Sequence, residues 1–247
     1  MRLVSLNING IQSAWNNRLK QYVRQSEADI FCMQETRTGK DLYRFFIPEY
    51  HEFFCPSMRP GYAGVALYTK LPPKLLIQGI GNPDRAEEGR AITIETRDFF
   101  LVNVYAPASG ANLERLPNKL LWMQDLTRFV CYLETKKPVI ICGDMNVAAS
   151  RWDAPVDERS AGNTDEERRA LGALVECGYV DIWRFEHGHE HGVTWAPYAL
   201  SERNPGDIGW RLDYFLVSEK LLDRIRTCYI LPFNEISDHR AVVLDIK

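Results

Sequence analysis

Four apolar runs in this sequence end in acidic or hydrogen-bonding side chains. The run at 3–8 carries Asn7 and Asn9 up to Gly10, and 30–34 leads into Glu35. The run at 101–104 leads into Tyr105, and 139–142 leads to Asp144 and Asn146. Side chains two apart on a strand share a face, so Asn7 goes with Asn9 and Asp144 with Asn146. An Asn or Asp at a single strand end is usually a turn former. Four such ends meeting at one rim would instead make a fixed array of donors and acceptors, the place where a rigid scaffold holds chemistry.

A further carboxylate stands out in Trp210-Arg-Leu-Asp-Tyr-Phe-Leu-Val, where Asp213 shares its face with Phe215 and Val217. It is expected to be partly buried, and a buried carboxylate needs a cationic or hydrogen-bonding partner. His239, in Ser237-Asp-His239, is the candidate, because an Asp fixes an imidazole's tautomer and stabilises its charged form. The alternative is an Asp that caps a turn beside the strand.

Strands must position these groups. Runs rich in β-branched, aromatic and other apolar residues occur at 2–8, 30–34, 51–55, 64–68, 91–95, 100–105, 139–142, 211–217, 226–231 and 241–246. Three helices interrupt them. One at 13–25 puts Trp15, Leu19, Tyr22 and Val23 on one face. A second at 116–133 repeats Leu116, Leu120, Met123, Leu126, Val130 and Leu133, and a third opens with Thr164-Asp-Glu-Glu167, a capping box, and ends before Gly178. Strands that are apolar on both faces need cover on both sides, while each helix buries one stripe. Two packed sheets between helix layers satisfy both demands: an α+β, four-layer α/β/β/α sandwich. No linker, repeat or low-complexity tract divides the 247 residues, so 1–247 is read as a single catalytic domain.

An apolar fraction of 45% suits a globular core and excludes a disordered chain. The start lacks a secretory signal and no run is long enough to span a bilayer, so the expected location is intracellular, in the cytoplasm and away from membranes. Six cysteines without a C-x-x-C pair read as small hydrophobes rather than as a disulfide or zinc framework. The net charge of −3 weighs mildly against nucleic acid, although a short contact needs only a local basic rim.

The segments Leu6-Asn-Ile-Asn-Gly10, Met33-Gln-Glu-Thr36, Gly61-Tyr-Ala-Gly-Val-Ala66, Asn103-Val-Tyr-Ala-Pro107, Ile141-Cys-Gly-Asp-Met-Asn146, Gly209-Trp-Arg-Leu-Asp-Tyr-Phe-Leu216 and Ser237-Asp-His239 follow one another along nearly the whole chain. In type and order they resemble the exonuclease III and AP endonuclease branch of the endonuclease/exonuclease/phosphatase superfamily. The Gly-Trp-Arg-Leu-Asp-Tyr stretch and the Thr-x-x-Glu-Arg segment after Ala161-Gly162 resemble the DNA-repair branch in particular.

The resemblance implies a Mg²⁺-dependent DNA phosphodiesterase, with Mn²⁺ able to substitute, acting as a monomer on double-stranded DNA with abasic sites or damaged 3′ ends. It implies Glu35 as the principal metal ligand, with Asp238 and the amide oxygens of Asn7 and Asn9 nearby or reaching the ion through water. Asp144, Asn146 and His239 would form a possible second metal site. Asp144 would activate water, Asn146, His239 and Tyr105 would contact the phosphate, and Asp213 would orient His239. Trp195 and Trp210 would line the sugar pocket. Two alternatives are a phosphatase or phospholipase of the same superfamily and a non-catalytic damage-binding module.

The pattern breaks at Ala108 and Ala111, where the family places phosphate-contacting side chains, and at Asn163 and Ala196, where it places aromatics. All four are expected on substrate-facing loops. They bear on the balance between abasic-site cutting and 3′-end trimming. The cluster His187-Gly-His-Glu-His191 reads as a solvated polar loop and is assigned no role.

Overall fold

The computed structural model describes residues 1–39, 42–154, 159–197, 209–233 and 235–247. The strands are β1 (Arg2–Asn7), β2 (Ile30–Gln34), β3 (His51–Cys55), β4 (Val65–Thr69), β5 (Leu75–Gln78), β6 (Ala91–Glu95), β7 (Phe100–Tyr105), β8 (Val139–Asp144), β9 (Tyr179–Asp181), β10 (Asp213–Ser218), β11 (Ile225–Ile230) and β12 (Val242–Ile246). The helices are α1 (Ile11–Asn16), α2 (Leu19–Gln25), α3 (Leu116–Glu134), α4 (Asp165–Glu176) and α5 (Ile182–His187).

The strands form two six-stranded sheets, ordered β11-β12-β1-β2-β4-β3 and β5-β6-β7-β8-β10-β9. Each has one parallel pair at its centre, β1 with β2 and β7 with β8, flanked by antiparallel neighbours. The C-terminal ends of a parallel pair lie side by side, so each sheet delivers two strand ends to the same edge.

Alternation along the strands sets the layers. Leu3, Cys32 and Leu67 of the first sheet meet Leu101, Cys142 and Phe215 of the second in the central core. On the outer face of the second sheet, Val102, Ile141 and Leu216 pack under Met123 and Leu126 of α3 and Leu171 of α4. Val4, Phe31 and Ala66 of the first sheet lie under Ile11, Leu19 and Val23. The expected four-layer sandwich is therefore present. No helix of the described residues is long and apolar enough to cross a membrane. Four of the six cysteines are buried, all six are free, and Cys177 is exposed.

The elements differ from expectation in three places. The first helix is two helices, broken where Arg18 takes a left-handed φ of 69° after the weak helix formers Asn16 and Asn17. Strand β5 was not anticipated: it is a short edge strand, exposed at Leu75 and Leu76, and lacks the alternation that betrays a half-buried strand. Strand β9 and helix α5 are too short, at 3 and 6 residues, for periodicity to register.

Candidate active site

Asn7, Glu35, Tyr105 and Asp144 stand at the ends of the two central parallel pairs, where Asn7 registers with Gln34 and Tyr105 with Asp144. Strand β10 runs antiparallel to β8, so its first residue, Asp213, lies opposite Asp144. Beneath the rim the sheets are joined by polar groups: Gln34 Nε2 donates to Asn103 Oδ1 at 2.7 Å, and Asn103 Nδ2 donates to the carbonyls of Met33 and Ala66. This buried amide pair fixes the register of one sheet over the other.

The backbone leaves each strand end abruptly. Asn9, Glu35 and Asn146 adopt left-handed φ values of 47°, 57° and 50°. Such conformations cost energy in residues other than glycine and persist where the surroundings enforce them. Gly143, at φ 129°, is required: a Cβ there would lie 2.0 Å from the Val104 carbonyl oxygen.

Asp213 is buried, and its Oδ2 lies 2.9 Å from His239 Nδ1. The other ring nitrogen, Nε2, is 4.0 Å from Asp144 Oδ2. Burial, and then the neighbouring charge of Asp213, push the Asp144 carboxyl up to about 7. Burial opposes the charged form of His239, but Asp213 and then Asp144 overcome it and raise the imidazole to about 10. Burial, followed by Glu35 and Asp144, holds the Tyr105 hydroxyl well above its usual range, so it stays protonated.

Asp144, Asp213 and His239 offer atoms within 4.8 Å of one another, the one such group among the described residues. Asp213 Oδ1 is buried without a hydrogen-bond partner. Acidic groups confined this closely, one carrying an unsatisfied oxygen, fit a cation that would relieve their repulsion. Glu35 and Asp238 face the same cleft outside that group, and their oxygens are held by protein donors. Arg37 Nε lies 3.0 Å from Glu35 Oε1, while Asn9 Nδ2 and Trp195 Nε1 lie 2.9 and 3.0 Å from the two Asp238 oxygens.

Asn7 and Asn9, whose amide oxygens are expected near a metal or reaching it through water, each direct Nδ2 at carboxylates. Asn7 Nδ2 donates to Asp144 Oδ2 at 2.9 Å and to Glu35 Oε2 at 3.1 Å, while its Oδ1 accepts from the Asn9 backbone N–H. With two carboxylates on one side and an N–H on the other, only this orientation satisfies both ends of the amide. Both amides thus serve as donors that orient carboxylates.

Asn9, Glu35, Tyr105, Asp144, Asn146, Asp238 and His239 line one cleft of about 650 Å³. Asn7 and Asp213 are buried and absent from its lining. Trp195 and Trp210 exchange backbone hydrogen bonds of 2.8 Å and form an apolar wall with Pro197 and Leu212. Ala108 and Ala111 also line the cleft. Asn163 and Ala196 do not, contrary to expectation: both are buried, and Asn163 accepts a hydrogen bond from Arg168. Sequence reasoning missed Arg90, whose guanidinium lies 5.0 Å from the rings of both Tyr105 and Tyr62 and donates to the Tyr105 carbonyl. It also missed Arg37, the partner of Glu35. The histidine loop is held by stacking of His187 on Trp183 and His189 on Trp152.

The model of the endonuclease/exonuclease/phosphatase family matches residues 4–239. The exodeoxyribonuclease of Bacillus subtilis is 36% identical over 252 residues, covering 100% of both chains. The DNA repair nuclease APEX1 of Danio rerio is 34% identical, covering 99% of this chain and 81% of its own. A solved AP endonuclease from Archaeoglobus fulgidus matches with a TM-score of 0.87 at 26% identity, covering 100% of this chain and 99% of that one. With that agreement in sequence and fold from end to end, the chain belongs to the endonuclease/exonuclease/phosphatase family, in the exonuclease III and AP endonuclease branch of DNA-repair hydrolases.

Proposed function

We propose that this protein hydrolyses the phosphodiester backbone of damaged double-stranded DNA, cutting 5′ to abasic sites and removing nucleotides or blocking groups from 3′ ends. The observation that carries the reading is Asp144 and His239 lining a cleft walled by Trp195 and Trp210, with Asp213 buried behind His239.

Asp144, anchored by Asn7 Nδ2 and the Asn146 N–H, accepts a proton from the attacking water; a carboxyl near 7 is well matched to that task. His239, kept as an imidazolium by Asp213, donates from Nε2 to a non-bridging phosphate oxygen as charge builds. The protonated Tyr105 and the amide of Asn146 face the same group. Trp195, Trp210 and Leu212 receive a baseless sugar by shape, since it offers no base edge to read. Mg²⁺, with Mn²⁺ as a substitute, would be held by Glu35 and Asp238, with the oxygens of Asp144 and Asn146 offering a second site and the His239 imidazolium left as a donor. It would neutralise charge on the phosphate and the leaving 3′-oxygen. All these groups act within one catalytic domain and a single copy of the chain.

The test compares duplexes carrying one abasic analogue, a recessed 3′ end or a 3′-phosphate, with Mg²⁺, Mn²⁺ or EDTA. Cutting that requires the cation and falls by about a thousandfold in Asp144→Asn is expected. Phosphate release from inositol phosphates with every DNA left intact would overturn the proposal.

A further inference from the structure

Glu167 closes the capping box of α4, but its carboxylate is also the meeting point of several loops. Oε2 accepts from the Thr164 N–H and hydroxyl at 3.2 and 2.9 Å, and both oxygens accept from the Gly162 N–H, at 3.1 and 3.0 Å. Oε1 also accepts from Ser109 Oγ at 2.5 Å and from Lys119 Nζ at 2.8 Å. Lys119 Nζ in turn donates to the Asn146 carbonyl at 2.5 Å. Both charged side chains are completely buried.

A helix cap needs neither a lysine nor a second carboxylate oxygen, and the face of α3 that carries Lys119 otherwise buries Leu116, Met123 and Leu126. An apolar residue there would avoid the desolvation of two charges. The pair instead ties together three separate stretches of the cleft wall: Ser109 after β7, Asn146 after β8 and Gly162 before α4. Neither Lys119 nor Glu167 lines the cleft. Asn146 is held at φ 50° by this carbonyl contact, by its N–H on Asp144 Oδ1 and by its Nδ2 on the Ala106 carbonyl.

We propose that Lys119 and Glu167 form a buried positioning pair that locks Asn146, Ser109 and Gly162 around the scissile phosphate without touching substrate. As a role in catalysis this rests on the nuclease reading; as control of the loops it stands independently.

The experiment uses the full chain with Mg²⁺ and a duplex bearing one abasic analogue. It compares wild type with Glu167→Gln, Lys119→Met, Lys119→Arg and the double variant Lys119→Met/Glu167→Gln. Melting temperature, kcat, KM and hydrogen exchange of the 145–150 and 159–164 segments are measured on each. Removing both charges together leaves neither one buried alone, so the double variant should melt closer to wild type than either single one. Its kcat should nevertheless stay about a hundredfold low, with KM changed less than about threefold, because a displacement near 1 Å is enough for such a loss. Exchange in both segments should rise, and Lys119→Arg should recover most of the kcat. Wild-type kcat and exchange in the double variant, or a kcat loss that follows melting temperature alone, would overturn the proposal. If the wild type cuts no DNA, the nuclease reading fails separately, and the exchange measurement still decides whether the pair governs the loops.

Discussion

His239 sits between two buried carboxylates, with Nδ1 at 2.9 Å from Asp213 Oδ2 and Nε2 at 4.0 Å from Asp144 Oδ2. The first contact fixes the ring, and the second leaves a gap facing the cleft. One carboxylate therefore orients the imidazole while the other remains available to a reactant.

Asp213→Asn keeps the size of the side chain but removes the charge that supports the imidazolium. Turnover on an abasic duplex should fall by about a hundredfold or more, with the fold retained by circular dichroism. A variant that turns over like wild type would remove Asp213 from catalysis.

Asn7 acts as a donor to Glu35 and Asp144, so Asn7→Asp should add a third negative charge where two carboxylates already meet. Activity should drop by about tenfold to a hundredfold, through lost hydrogen bonds and like-charge repulsion. A Mg²⁺ titration checks the geometry. Were the Asn7 oxygen a ligand, the Asp variant would bind the ion more tightly at little cost in rate.

Ala108 and Ala111 line the cleft without offering a donor, and Ala111 is exposed. Ala108→Asn and Ala111→Arg should each strengthen DNA binding by roughly threefold to tenfold, the worth of one added hydrogen bond or charge contact. The Arg variant should show the steeper salt dependence. Binding curves at two salt concentrations test both statements.

Asp153 is buried and bonded to Arg211 Nε at 2.6 Å and Ser150 Oγ at 2.7 Å, with Arg184 also in contact. Burial pushes its carboxyl up, but Arg211, with Ser150 and Arg184, outweighs that and holds it below the usual range. A carboxyl lowered on folding contributes stability that is fully present above its unfolded value, about 4, and is lost as pH falls through the folded value. Asp153→Asn should therefore cost about 3 kcal/mol or more at pH 7, and the gap from wild type should narrow below pH 4. Urea denaturation at pH 7 and pH 3.5 measures both.

Much of the site is legible in the amino-acid sequence. Residues that end apolar runs, such as Glu35, Tyr105 and Asp144, were identifiable because strand alternation ties residue number to face. The pairing of Asp213 with His239 followed from the cost of burying a lone carboxylate. The partners supplied from outside those motifs were not legible. Arg90 and Lys119 carry no local pattern that separates them from ordinary surface cations, and Glu167 read as a cap alone.

The amino-acid sequence by itself determined the sandwich, the strand ends that carry chemistry and the family, because each follows from periodicity or from the order of short motifs. Tertiary structure alone decided which way the Asn7 amide points, that Asn163 and Ala196 turn away from the cleft, and that Lys119 meets Glu167. These depend on contacts between residues far apart in the chain, such as Asn7 with Asp144, 137 positions away. Side-chain orientation at such a contact is set by the groups that close around it, and those groups are neighbours only after the two sheets have packed.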